Sequence, residues 1–298
     1  MMRSNRGLTR RDFLRGTAGV TMGVMAGVPA IARSKAEAER RARVVLVRDP
    51  NAMDRGDQPN GAVVEKMLDD GVRSLLGTAD VHEAWRTLIQ PDDVVVGIKT
   101  NVWAYMPTPK AVEETIRCRV ADVGVSEGRV RMDDRGARKT LSDCTALINA
   151  RPLRTHHWAG IGGCLKNYIV FVRMPFQYHG DACASLGRIW TKAVVKDKTR
   201  LNVLVALRPL FHGRGAHHYN RAYTWDYNGL FLSTDPVAVD AMGVHLLAVK
   251  RREYFGADTP FPKLTHHVTF ADIRYHIGVS DPSRIDLVRV GWTEGILI

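Results

Sequence analysis

Short, continuous apolar runs alternate along this chain with longer stretches in which apolar residues recur every third or fourth position. The runs at residues 44–49, 94–98, 129–132, 145–149, 201–207, 229–232 and 285–290 read as strands buried on both faces. Val63, Val64, Met67, Leu68, Val72, Leu75 and Leu76 keep helical spacing and predict a helix over 61–76. Further helices are expected over 81–89, 110–123, 160–172 and 237–250. Thr108 and Pro109 read as N-cap and first turn of the third of these five, and Asp235 as the cap of the last. Strands that are apolar throughout, separated by helices, predict an α/β fold: a mainly parallel sheet with helices on both faces. No repeat or linker divides residues 44–298, so they are expected to form a single compact domain.

The amino terminus has a different pattern. Thr9-Arg10-Arg11-Asp12-Phe13-Leu14 precedes a weakly apolar, Gly- and Ala-rich run at 16–28 and then Ala30-Ile31-Ala32. That order resembles a cleavable twin-arginine export signal over residues 1–32, followed by a charged spacer at 33–43. The apolar run is too short to span a bilayer, for which about 20 residues are needed. The expected partner is the twin-arginine translocase, which exports folded chains. The expected location is periplasmic or extracellular, with no stable membrane anchor in the mature chain.

The chain carries a formal charge of +12, of which five arginines against one aspartate in residues 1–32 account for +4. The excess is spread out, with no basic block and no interleaved aromatic residues, which argues against nucleic acid and for an anionic small molecule or an anionic surface. Cys118, Cys144, Cys164 and Cys183 form no C-x-x-C pair, so iron–sulfur and zinc spacings are missing. Buried free thiols or one bridge, such as Cys164–Cys183, both fit the four cysteines. No Walker, dinucleotide, nucleophile-elbow or zincin motif occurs.

The candidate chemistry lies at the carboxyl ends of the expected strands, where open parallel sheets bind ligands. Lys99 and Asn101 end one strand, and Asp133 follows another. Arg154, His156 and His157 precede Gly160, Gly162 and Gly163, and Lys166 and Asn167 come next. Glycines before a helix let backbone N–H groups approach an anion. Lys99, Asp133, His156 and Lys166 are therefore expected to act on the ligand. Asn101, Arg154, Gly160, Gly162, Gly163 and Asn167 are expected to hold it or a cofactor. His157, His179, Asp181 and His217 form a candidate metal set. Asp240, an acid in an apolar helix, is expected to face either the site or a basic partner such as Arg208. The expected function is an enzyme acting on an anionic small molecule in a basic, His-rich pocket. The alternative is a non-catalytic metal- or anion-binding protein.

Three stretches carry a family resemblance: VVVGIKTN at 94–101 followed by PTP at 107–109, INARPLRTHHWAGIGGCLKN at 148–167, and GLFLSTDPVAVDAMG at 229–243. In this order and spacing they resemble the domain of unknown function 362 family. The resemblance implies an α/β fold and an exported subgroup, and little about chemistry. Some relatives carry ferredoxin-like cysteine clusters; this chain has none, so their electron-transfer role does not carry over. Where relatives often have Lys before Thr-His, this chain has Arg154, which keeps the charge and removes Lys-specific chemistry.

Overall fold

Along the first strand, β1 (Ala42–Arg48), side chains alternate between two hydrophobic cores. Val44 and Leu46 enter one, and Val45 and Val47 the other. This is the period-2 consequence of a strand covered on both faces. The computed structural model describes residues 40–298 apart from 56, 100–104, 140 and 262. The expected export signal (1–32), most of the spacer (33–43) and Asn101 therefore lie outside the described residues.

Helices α1 (Gly61–Leu76), α2 (Val81–Leu88) and α3 (Lys110–Asp122) cover one face. The Asn60 side chain caps α1, and Gly77 ends it in the left-handed conformation (φ 72°). Asp80 caps α2. The expected Thr108 cap is not made. Its hydroxyl donates instead to the Ala150 carbonyl (3.0 Å), tying the start of α3 to the sheet.

Strands β2 (Val95–Ile98), β3 (Val130–Asp133), β4 (Ala146–His156), β5 (Gly160–Gly162), β6 (Thr199–Leu210), β7 (Gly229–Ser233) and β8 (Ile285–Gly291) complete one sheet. Its order is β3-β2-β4-β6-β7-β1-β8, with β5 paired to β4. The β2–β3, β2–β4, β4–β6 and β1–β8 pairs are parallel. β7 runs antiparallel to both neighbours, and β5 folds back on β4. The sheet is thus mixed and mostly parallel, as the apolar runs predict.

The second face is covered by α4 (Cys164–Asn167), α5 (Gly187–Trp190), α6 (Pro236–Phe255) and α7 (His266–Ile273). Asp235 caps α6 as expected, accepting from Val237 and Ala238 N–H. Residues 160–172 are not one helix. They form β5, the single turn α4 and a tighter turn at Tyr168–Phe171. No helix among the described residues is long and apolar enough to cross a membrane.

Candidate functional site

The site is built where β4 outruns its neighbours. β4 pairs with β6 up to Pro152, shifts register, and pairs Arg154 with Leu210. Its last residues then meet β5, with Arg154 opposite Gly162 and His156 opposite Gly160. Gly160 makes this reversal possible. Its φ is +71°, and a Cβ there would lie 2.5 Å from the Lys263 carbonyl oxygen.

The glycine run does not present an open anion cradle, contrary to the sequence expectation. The cradle is filled from inside the protein. Asp240 on α6 is fully buried and accepts from the N–H groups of Cys164 (2.6 Å) and Leu165 (2.9 Å), the first residues of α4. Gly163 is what allows this, since a Cβ on it would sit 2.2 Å from the Asp240 carboxylate. Burial raises the Asp240 pKa to about 7, against the pull of its two hydrogen bonds and of Arg151. Arg208 is not its partner; that guanidinium binds Asp226 and Asp57. Gly162 has a milder reason to be glycine, because a Cβ there would make only ordinary contacts, 3.5 Å from Arg151.

Asn167 is also a structural residue. It donates to the Ile98 carbonyl (3.1 Å) and to Asn149 Oδ1 (2.8 Å), and accepts from Arg151 Nη1 (2.9 Å). Asn149 in turn donates to the Cys164 carbonyl and to Asn202. This ladder of amides crosses β2, β4 and β6 beneath α4.

Beside the ladder sit three cations, for which buried Asp134, acting on both arginines, and Asp240, acting on Arg151, supply the nearby negative charge. Arg151, Arg154 and Lys166 are 6%, 1% and 2% exposed. Arg154 donates to the Met106 carbonyl (3.1 Å), and Lys166 to the Cys183 sulfur (3.6 Å). None of the three forms a salt bridge with a described carboxylate. Both arginines also keep a buried Nε without a partner. Burial lowers the Lys166 pKa to about 8. It drives that of His156 far below its ordinary value, with help from Lys166 and Arg151. His156 Nδ1 accepts the Trp158 N–H (3.2 Å), so the neutral ring carries its proton on Nε2.

A partly exposed layer of rings covers these cations. His156 stacks on His157 (4.9 Å between centroids), Trp158 packs against both His157 and His179 (4.1 Å each), and His217 meets His157 edge-on (4.5 Å). Burial and the charge of Lys166 lower the pKa of His179 to about 4. Trp158 thus packs against both His157 and His179, and Asp181 takes the Nδ1–H of His266 (3.0 Å) instead of joining them. Among the described residues no three His, Cys, Asp or Glu side chains are grouped to hold a metal ion. All four cysteines are free thiols, with Cys118 exposed and the others buried.

Two expected site residues lie elsewhere. Lys99 pairs with Glu113 (2.7 Å) and lines a cleft of about 720 Å³ together with Tyr105, Lys110, Arg208 and Tyr219. Asp133 closes its own turn, accepting from the N–H groups of Asp134 and Gly136. The strand ends therefore bring together Arg154, His156, His157, Lys166 and His179, without Lys99 or Asp133. Sequence reasoning missed Arg151, Trp158, Cys183 and His267. The last, fully buried with both ring nitrogens unpartnered, feels the charges of Lys166 and Arg151. A cation in an otherwise apolar strand was the available signal for Arg151; the others depend on tertiary contacts.

No curated protein and no solved structure matches the chain. A family model does: the domain of unknown function (DUF362) matches residues 119–245, which contain the 148–167 and 229–243 stretches, and so supports the family resemblance over the segment that builds this site.

Proposed function

We propose that this chain is an exported α/β enzyme that binds an anionic small molecule on the ring layer over Arg151, Arg154 and Lys166. The observation that carries the reading is the buried cationic trio, which makes no carboxylate salt bridge among the described residues, although Asp134 and Asp240 act on its arginines. Burying charge is costly, and a ligand anion would add to the negative charge that Asp134 and Asp240 supply for three cations. Fields from desolvated cations also draw anions to a surface. His156, neutral across the physiological range and with Nδ1 taken by the Trp158 N–H, offers the site its Nε2–H as a donor. Lys166 supplies charge from below. A non-catalytic anion binder is the second reading, favoured by the burial of all three cations, which leaves the imidazoles as the groups for direct contact. Residues 1–32 act as the twin-arginine signal in either case.

Titration calorimetry of the purified chain with phosphate and small carboxylates tests the anion site. Saturable binding that weakens steeply with salt is expected; heats no larger than those of chloride would refute it. Turnover of a bound anion that His156→Gln abolishes without loss of binding separates enzyme from binder. Export is tested by fusing residues 1–35 to a folded reporter. Arg10→Lys with Arg11→Lys should hold the reporter in the cytoplasm, and continued export of that variant would remove the twin-arginine reading.

A further inference from the structure

Cys183 is the thiol that the proposed function leaves unused, and its surroundings are unusual. Lys166 Nζ lies 3.6 Å from its sulfur, and the thiol itself donates to the Trp158 carbonyl at 3.6 Å. The S–H therefore points away from the amine, and a sulfur lone pair faces it. Both side chains are buried, Cys183 fully. Among the described residues no other thiol has an amine as hydrogen-bond partner.

The backbone supports a special role for this position. Asp181, Ala182 and Cys183 have φ of 45°, 49° and 64°, three consecutive L-residues in the left-handed region. Such residues persist only where their surroundings over-determine them, and they concentrate at functional sites. Here His266 holds Asp181, and Trp158 and Lys166 hold the Cys183 sulfur. Burial pushes the Cys183 thiol pKa up and Lys166 pulls it down, and Trp158, whose carbonyl takes the S–H, is 45% exposed.

We infer that Cys183 and Lys166 form a redox-sensitive pair, in which oxidation of the thiol by a peroxide ends in a covalent bond between the cysteine sulfur and the lysine nitrogen. In the first step the thiol sulfur attacks one peroxide oxygen. An S–O bond forms, the O–O bond breaks and water leaves, so that sulfur is oxidised to a sulfenic acid and the peroxide is reduced. In the second step the neutral Lys166 amine attacks that sulfur. The N–S bond forms and the S–O bond breaks. The departing hydroxide takes the proton lost by nitrogen and leaves as a second water. Sulfenic acids condense reversibly with a backbone nitrogen in the same way; here the nitrogen is the Lys166 amine. The lowered Lys166 pKa, about 8, keeps part of the amine neutral for the second step. The linked nitrogen no longer carries a full positive charge, so oxidation removes one of the three buried cations. That consequence rests on the proposed anion site; the bond itself does not.

The test is peptide mapping of the full chain after hydrogen peroxide, digested with trypsin without thiols, alongside phosphate titrations of reduced and oxidised protein. The expected product joins the Lys166 and Cys183 peptides at their summed mass less two hydrogens. It resists cleavage after Lys166 and reverts with dithiothreitol. Cys183→Ser and Lys166→Arg should each abolish it, while Cys118→Ser should not. Normal cleavage after Lys166 in oxidised wild-type protein, or Cys183 found only as disulfide or sulfinic acid, overturns the link. If the link forms and phosphate binds reduced and linked protein equally, regulation of the site is overturned. If phosphate binds neither form, the anion site falls, and the peptide map alone decides the link.

Discussion

Beneath the end of β4, two buried polar neighbourhoods share a boundary at Arg151. On one side, Asp240, Asn149, Asn167 and Asn202 answer one another and the backbone of α4, and each has hydrogen-bond partners. On the other, Arg151, Arg154, Lys166 and His267 bring positive or neutral nitrogens together, and three of these four residues keep unpartnered buried atoms. The same burial has opposite meanings in the two places. A satisfied network specifies one packing of helix on sheet. An unsatisfied one lowers stability unless something outside the chain completes it. On the proposed reading, the first neighbourhood is structural and the second takes the ligand.

The largest effect should come from breaking the satisfied side. Gly163→Ala forces a methyl group into the Asp240 carboxylate and strands a buried charge. We expect a loss of about 3–5 kcal/mol in urea unfolding, or no folded protein at all. Gly162→Ala, one position earlier, should cost far less, because its Cβ makes only ordinary contacts. Equal losses for the two variants would show that the cradle is not the element that matters.

Acidification should separate the two sides next. His267 has its pKa lowered to about 3 by burial, against an ordinary 6.5. The unfolded chain takes up that proton first, so stability is lost as pH falls from about 6.5 toward 3. Asp240 has the opposite sign. Its folded pKa, about 7, exceeds its unfolded value near 3.8, so its contribution falls as pH rises between them. His267→Phe should flatten the acid limb of a stability–pH profile and cost little at pH 7, since an apolar ring needs no partner. Asp240→Asn should flatten the opposing limb and cost about 1–3 kcal/mol. If His267→Phe leaves the acid limb unchanged, the buried imidazole has a partner that the account does not provide.

The fold was largely legible in the sequence, and the site only in part. β1, α1, α2, β2, α3, β7 and β8 begin or end within a residue or two of their apolar runs, because burial on both faces writes continuous hydrophobicity into a strand. The failure at 160–172 has a physical cause. Residues apolar on all sides fit a buried helix or a strand and tight turns equally well, and periodicity cannot choose between them. The apolar run predicts a strand ending at Asn149, yet β4 continues through Arg151, Arg154 and His156. Charges inside a strand look like its end unless the elements packed around them are known. Asp240 stands out as an acid in an apolar helix; its hydrogen-bond partners are the backbone N–H groups of α4, and the cation that acts on it is Arg151 rather than Arg208. Lys99 and Asp133 were placed correctly at strand ends. Their destinations were then decided by Glu113 and by the turn after β3, which no spacing records.

The smallest expected change in stability gives the most direct test. Lys166→Met keeps most of the length of the side chain and removes its charge. Thermal melts of wild type and Lys166→Met, in phosphate and in chloride at equal ionic strength, decide whether the cationic side is reserved for an anion. Phosphate at about 100 times its dissociation constant should stabilise the wild type by about 2.7 kcal/mol. In chloride the variant should melt at or slightly above the wild type, since a buried charge without a carboxylate partner has gone. In phosphate it should gain little. A variant that unfolds in chloride, or that responds to phosphate as the wild type does, would contradict the account.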